Sequence, residues 1–251
     1  NIWKKISLLP APLRKLIGTS LTSLSPQKWN KLSKWIPGSD SFNSFGDKIH
    51  KGANVLDASS LNDLYLKLVS HWENPSDIVL NSKEPATIIT DHKFEFQATE
   101  SQQKMMLLDG LTYLPDDILV KVDRAAMGVS LETRIPYLDH RVVEFAWKIP
   151  QSLKVREGKS KWILREVLNQ YVPKKLFERP KMGFGIPIGT WLRGPLRDWA
   201  ESLLNEKRLQ DEGFFNPDPI RKKWKEHLSE KKNWQYQLWD ILMFQAWLDE
   251  N

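Results

Sequence analysis

Apolar residues in this chain recur every three or four positions, and no run of β-branched residues alternates with polar ones. A period near 3.6 buries one face of a helix, whereas a strand needs a period of 2. The chain is therefore expected to be mainly α, with near two-thirds of it helical or somewhat less. Prolines punctuate the periodic runs, because a proline lacks the N–H a helix interior needs. No internal repeat is visible across the 251 residues, and one helical domain over residues 1–251 is the expected organisation.

Leu13, Leu16, Ile17, Leu21 and Leu24 make the first helical stripe. Ser25-Pro26 restarts a helix with a capping hydroxyl and a proline at the first helical position, running to Pro37-Gly38. Residues 39–46 read as a loop. Ser60 with Asp63 three residues on is a variant capping box ahead of Leu61, Leu64, Tyr65 and Leu68. Residues 79–96 read as a long loop or two short turns. Helices are then expected over 102–113, from Pro115 through Lys121, over 137–147 and over 161–171. In the 137–147 helix Leu138, Val142, Phe145 and Ala146 face inward by spacing. Residues 179–194 read as a loop, and helices over 196–204, 219–228 and 234–248 close the chain. The last carries Trp234, Leu238, Ile241, Leu242, Phe244 and Trp247 at core spacing rather than as a stacking platform for bases.

Composition narrows the chemistry. There is no cysteine, which excludes disulfides, thiolate nucleophiles and cysteine-bound zinc. Net charge is +6, with the lysines dispersed rather than gathered into a basic tail. That balance could serve nucleic acid, though without a basic tail, and phosphate-bearing small molecules explain it equally well. No apolar run reaches the ~18 residues of a membrane span, no signal peptide is visible, and a cytoplasmic location is the expectation. The first residue is Asn rather than Met, so a longer natural chain is expected.

Charged residues crowd among apolar ones over residues 113–166. Lys121, Asp123 and Arg124 fall on two successive turns of one helix. Lys121 sits among Leu119, Val122 and Ala126, where an ammonium needs an anion; Asp117 four residues earlier offers an ordinary helical ion pair. Glu132 and Arg134 flank Thr133 ahead of Pro136. They read either as an ion pair fixing an elbow or as a carboxylate and a guanidinium at the rim of a charged pocket. His140 beside Asp139 is a candidate general base, but without a second ligand at metal spacing it reads as a helix-surface histidine. Lys161 follows Gly158-Lys159-Ser160 at the start of a helix. Free N–H groups and the positive dipole end there, with an ammonium beside them, favour phosphate or pyrophosphate; a solvated loop lysine is the alternative. The run is not a P-loop, since it lacks the earlier glycine and the preceding strand.

The runs YLPDDILVKVDRAAMGVSLETRIPYLD and GKSKWILRE resemble the carboxy-terminal synthetase domain of glutamine-dependent asparagine synthetases. The combination L-P-D-x-x-L-x-K-x-D-R, S-L-E-x-R-x-P-x-L-D and K-x-x-L-R is specific, and RPKMGFGIPIGTWLRGPL and LWDILMFQAWLDE extend it. The resemblance implies the helical carboxy-terminal part of an α/β ATP pyrophosphatase fold (adenine nucleotide alpha hydrolase-like). It implies an ATP-dependent ligase that adenylates the aspartate side chain and transfers glutamine-derived ammonia to it, giving asparagine, AMP and pyrophosphate. Lys161 takes the place of the family's pyrophosphate-contacting lysine, the implied catalytic residue. Lys121, Asp123, Glu132 and Arg134 fall in its substrate-binding motifs.

The family's S-G-G-x-D-S loop, its acidic G-x-x-D-E segment and a glutaminase cysteine do not occur in this sequence. The expectations are therefore ATP and Mg²⁺ in a complete enzyme but none bound by this chain alone, an inactive isolated chain with its amino-terminal portions missing, and possible self-association. A helical binding module with a basic face for nucleic acid or a protein partner is the alternative.

Overall fold

The computed structural model describes residues 6–33, 45–91, 100–179 and 185–251. About 66% of the described residues are helical and 3% are in strands, mainly α as the spacing predicts. It divides into two compact units, residues 1–94 with 185–251 and residues 95–184.

In the first unit, helices Ala11–Ser23, Pro26–Ser33 and Phe45–Asn54 pack on one another. The third of these was not expected, and its first two residues, Phe45 and Gly46, fall in the expected 39–46 loop. Arg14, 7% exposed, donates to the carbonyls of Leu9, Leu56 and Ala58. Those bonds satisfy the backbone of the turn that leads to Ser60. The hydroxyl of Ser60 then accepts from the Asp63 amide at 3.1 Å and starts helix Leu61–Val69. The Asp63 carboxylate returns to the amide and hydroxyl of Ser59 rather than to Ser60, one residue outside the standard box.

The core of this unit lies on helices Ile188–Arg193, Arg197–Leu203, Pro217–Leu228 and Gln235–Glu250. Leu192, Leu204, Leu209, Ile220, Trp224, Leu238 and Leu242 are all fully buried. Ile188–Arg193 lies where the sequence predicts only loop; Pro187 precedes its first residue and Gly194 ends it. Residues 180–184 of that expected loop lie outside the described residues, as do the end of the second predicted helix and most of the 39–46 loop. The short helix Pro75–Asp77 leads to a bridge between Val79 and Phe215, and residues 79–91 follow as the expected loop with turns, while 92–96 lie outside the described residues.

Three polar groups tie this core together. Glu201 accepts from Trp224 Nε1 and from Arg221 at 2.7 Å. Burial alone would raise its carboxyl, but those bonds outweigh it and hold it below the usual range. Gln245, fully buried, donates to Glu212 at 2.6 Å. His227, also fully buried, accepts at Nδ1 from the Trp234 amide at 3.2 Å, so its proton sits on Nε2, 3.2 Å from the Gly189 carbonyl. Burial, helped by the neighbouring Arg193, pushes His227 down to about 4.

The second unit holds helix Ser101–Leu111, a π-helical stretch Leu114–Leu119 and helix Val120–Met127. Pro115 explains the wider stretch, since its ring clashes with the preceding turn of a tight α-helix. Helices His140–Lys148 and Trp162–Asn169 follow. Among the described residues of this unit Leu108 is the one buried hydrophobic side chain. Leu138, Val142 and Phe145, expected to face inward, are exposed, Phe145 by 64%. Their spacing makes a stripe, but the described residues of this unit leave it uncovered.

Among the described residues no helix is long and apolar enough to cross a membrane.

Candidate active site

A cavity of about 770 Å³ opens in the second unit between the Pro115–Asp123 side of the long helical run and the elbow 133–139. Leu119, Val122, Ile135 and Leu138 give it apolar walls, and Asp123, Arg134 and Asp139 give it charge. The hollow is open to solvent, with the Arg134 side chain 84% exposed at its edge, so its charged groups stand at the surface rather than in an enclosed cleft.

The elbow has a defined cause. Helix Val120–Met127 closes with the Ser130 amide on the Met127 carbonyl at 2.9 Å and the Leu131 amide on Ala126 at 3.0 Å, the paired bonds of a Schellman end. That closure puts Ser130 at φ 59, a conformation glycine usually supplies. The chain then reverses, and Pro136 and Asp139 stop the extended segment. Asp139 accepts from the Arg141 amide at 2.9 Å to cap helix His140–Lys148, and its carboxylate also takes the Arg141 guanidinium at 2.7 and 2.9 Å. Those hydrogen bonds from Arg141 hold Asp139 below the usual carboxylate range.

Of the five residues singled out in the sequence, Asp123 and Arg134 line the cavity together; Lys121, Glu132 and Lys161 do not. Lys121 pairs with Asp117 at 3.9 Å on the helix surface. Glu132 and Arg134 form a 2.8 Å ion pair that is exposed on both sides. An exposed pair contributes little stability, which leaves the Arg134 guanidinium free to exchange Glu132 for a ligand at small cost. His140 is 4.0 Å from Asp139 and its side chain is 80% exposed, in line with a surface histidine.

Lys161 sits at a corner. Val155–Arg156 and Lys159–Ser160 pair as a two-residue hairpin, with Glu157 at φ 52 and Gly158 at φ 76 in the turn. Both positive angles are what a type I′ turn demands. The helix Trp162–Asn169 begins directly afterwards, and Lys161 between them takes φ 57, ψ 36. The Glu-Gly pair was the available signal for this hairpin, but strands of two residues leave no alternation to detect. The polar elbow read in the sequence runs from Ser130 to Asp139, but nothing in it marked Ser130 at positive φ.

Among the described residues no group of three acidic or histidine side chains stands close enough to hold a metal ion. The Mg²⁺ that the resemblance implies therefore finds no ready donor set among the described residues.

The asparagine synthase family model matches residues 16–249. The chain belongs to the asparagine synthase family. Glutamine-hydrolysing asparagine synthetase 1 of Bacillus subtilis is 33% identical over 144 residues, 57% of this chain and 22% of that protein. Asparagine synthetase 3 of the same organism is 29% identical over 108 residues, 43% of this chain and 17% of that protein. The amidase chyE of Penicillium rubens is 32% identical over 112 residues, 42% of this chain and 17% of that protein. This member of the asparagine synthase family thus spans about a fifth of the length of the curated relatives it matches. No solved structure matches it.

Proposed function

We propose that this chain is one part of an ATP-dependent carbon–nitrogen ligase. In this reading the ligase adenylates the side-chain carboxylate of aspartate, releases pyrophosphate, and lets glutamine-derived ammonia displace AMP to give asparagine. The observation that carries it is the family match over residues 16–249, which takes in the charged cavity and the Lys161 corner. Arg134 suits a substrate carboxylate, because a guanidinium meets one with two parallel bonds. Asp123 and Glu132 suit an ammonium, and Lys121 adds positive charge on the same helix. Lys161 acts on pyrophosphate, whose negative charge grows as it leaves; an ammonium fixed in advance stabilises that charge without reorganising. ATP and Mg²⁺ belong to the complete enzyme, with no site for either assigned to this chain alone. The exposed apolar side chains of the second unit fit the same reading, since a partial structure leaves uncovered what the remainder packs against. The cytoplasm is the proposed location.

The test is pyrophosphate release from ATP with aspartate. This chain alone is expected to release none. A polypeptide that carries it in frame with a phosphate-binding loop should be active, and Lys161→Ala should cut its rate by on the order of 10²–10³. Lys161→Arg should recover only part, because a planar fork is not a point charge. An unchanged rate in Lys161→Ala, with the fold intact by circular dichroism, would remove Lys161 from the reaction.

A further inference from the structure

We propose that Arg165 is a positioning residue that fixes the backbone of Lys161, with Arg156 as its support from the hairpin side. The inference rests on the reading of Lys161 as the anion-binding lysine. Lys161 takes φ 57, ψ 36, a region a side chain with a Cβ rarely occupies. One residue joins the end of strand Lys159–Ser160 to helix Trp162–Asn169, and it is this residue that takes the left-handed angle. Glycine is the usual occupant of such a corner, yet a lysine stands there.

Two torsions define the corner, and each is set by one neighbouring peptide unit. The Ser160 carbonyl belongs to the unit before the Lys161 Cα, the Lys161 carbonyl to the unit after it. Arg165 binds both. Its side-chain Nε donates to the Ser160 carbonyl at 3.1 Å, and its backbone amide donates to the Lys161 carbonyl at 3.1 Å. One residue thus restrains both torsions of Lys161. From the other side the Arg156 guanidinium lies 4.8 Å from the Trp162 ring, which joins the hairpin to the first residue of the helix. Lys161 itself has no ion-pair partner among the described residues, so no salt bridge sets the direction of its side chain. The torsions at 161 set the direction in which the Lys161 side chain leaves the backbone, and Arg165 restrains those torsions.

The test uses the full chain labelled with ¹³C and ¹⁵N, and inorganic pyrophosphate as the probe. The Lys161 Cα and Cβ shifts and its amide–Hα coupling report positive φ, and cross-strand contacts between Val155 and Ser160 report an intact hairpin. Arg165→Lys keeps the charge and the backbone bond but loses the planar Nε–H donor. We expect it to lose the positive-φ signature with the hairpin retained, and to weaken Lys161-dependent pyrophosphate binding about tenfold, as for loss of one bond to a charged group. Lys161→Ala defines which binding counts. A wild-type signature in Arg165→Lys overturns the proposal, as does a lost signature with unchanged pyrophosphate affinity. A wild-type chain that binds pyrophosphate no better than Lys161→Ala overturns the reading of Lys161 itself. In that case the shifts still show whether Arg165 holds the corner, so the two failures are told apart.

Discussion

Helices Gln235–Glu250 and Trp162–Asn169 present the same kind of sequence to two different environments. In the first, Leu238 and Leu242 are fully buried; in the second, Leu164 and Leu168 are 46% and 39% exposed. Both segments carry apolar residues at helical spacing, and both are helices. The spacing settles which side chains share a face. Whether that face is covered depends on how many other elements meet there. Four helices converge on Trp224 and its neighbours, whereas the unit 95–184 gathers its elements around a hollow and a hairpin. Apolar burial is the main favourable term in folding, so the two regions should respond very differently to the same kind of damage.

The largest contrast is expected from truncation. Trp224→Ala removes a fully buried indole that also hydrogen-bonds Glu201, and should cost about 3–5 kcal/mol. Leu164→Ala removes a half-exposed side chain and should cost less than about 1 kcal/mol. Urea unfolding followed by circular dichroism measures both. Equal losses would mean that the two regions are packed alike, and the comparison would fall.

Acid should separate them next. His227 is held neutral at about 4, below its usual 6.5. Between those values the unfolded chain binds a proton that the folded chain refuses, so stability is complete above about 6.5 and drains away as pH falls toward 4. The loss should be on the order of 3 kcal/mol, confined to the unit that contains His227. His227→Gln should flatten the dependence over that window. A wild-type and a Gln variant with the same slope would move the acid sensitivity elsewhere.

The smallest effect is expected on the exposed side. Lys121→Ala breaks a 3.9 Å surface pair with Asp117, and should change stability by at most about 0.5 kcal/mol. A loss several times larger, read by the same urea titration, would mean that Lys121 is buried by something and that its surface pairing is not its main interaction.

What was legible in the sequence follows the same division. Ser60 with Asp63, Pro26 at a helix start and the Leu238–Leu242 stripe are local signals with a local physical cause, and the structure follows them. The family motifs likewise located the elbow and the Lys161 run. The inward direction of Phe145 was not legible, because burial is a property of the partner as much as of the residue. The corner at Lys161 and the closure at Ser130 were hidden for another reason. Both are positions that turn chemistry assigns to glycine or asparagine, and here a lysine and a serine occupy them, held by bonds from Arg165 and from the last helical turn. Helix Ile188–Arg193 was masked by the density of glycine and proline around it.

The π-helical stretch Leu114–Leu119 sets the phase of everything after it. Each residue added to or taken from a helix turns the following side chains by about 100°. Val122 and Asp123 line the cavity only at their present angle. A single deletion within 114–119 that restored a uniform α-helix would swing Asp123 roughly a quarter-turn away from Arg134 while leaving every site residue in the sequence. The hollow is thus keyed to a count of residues as well as to their identities, and relatives that keep all the charges but change this spacing would not build it.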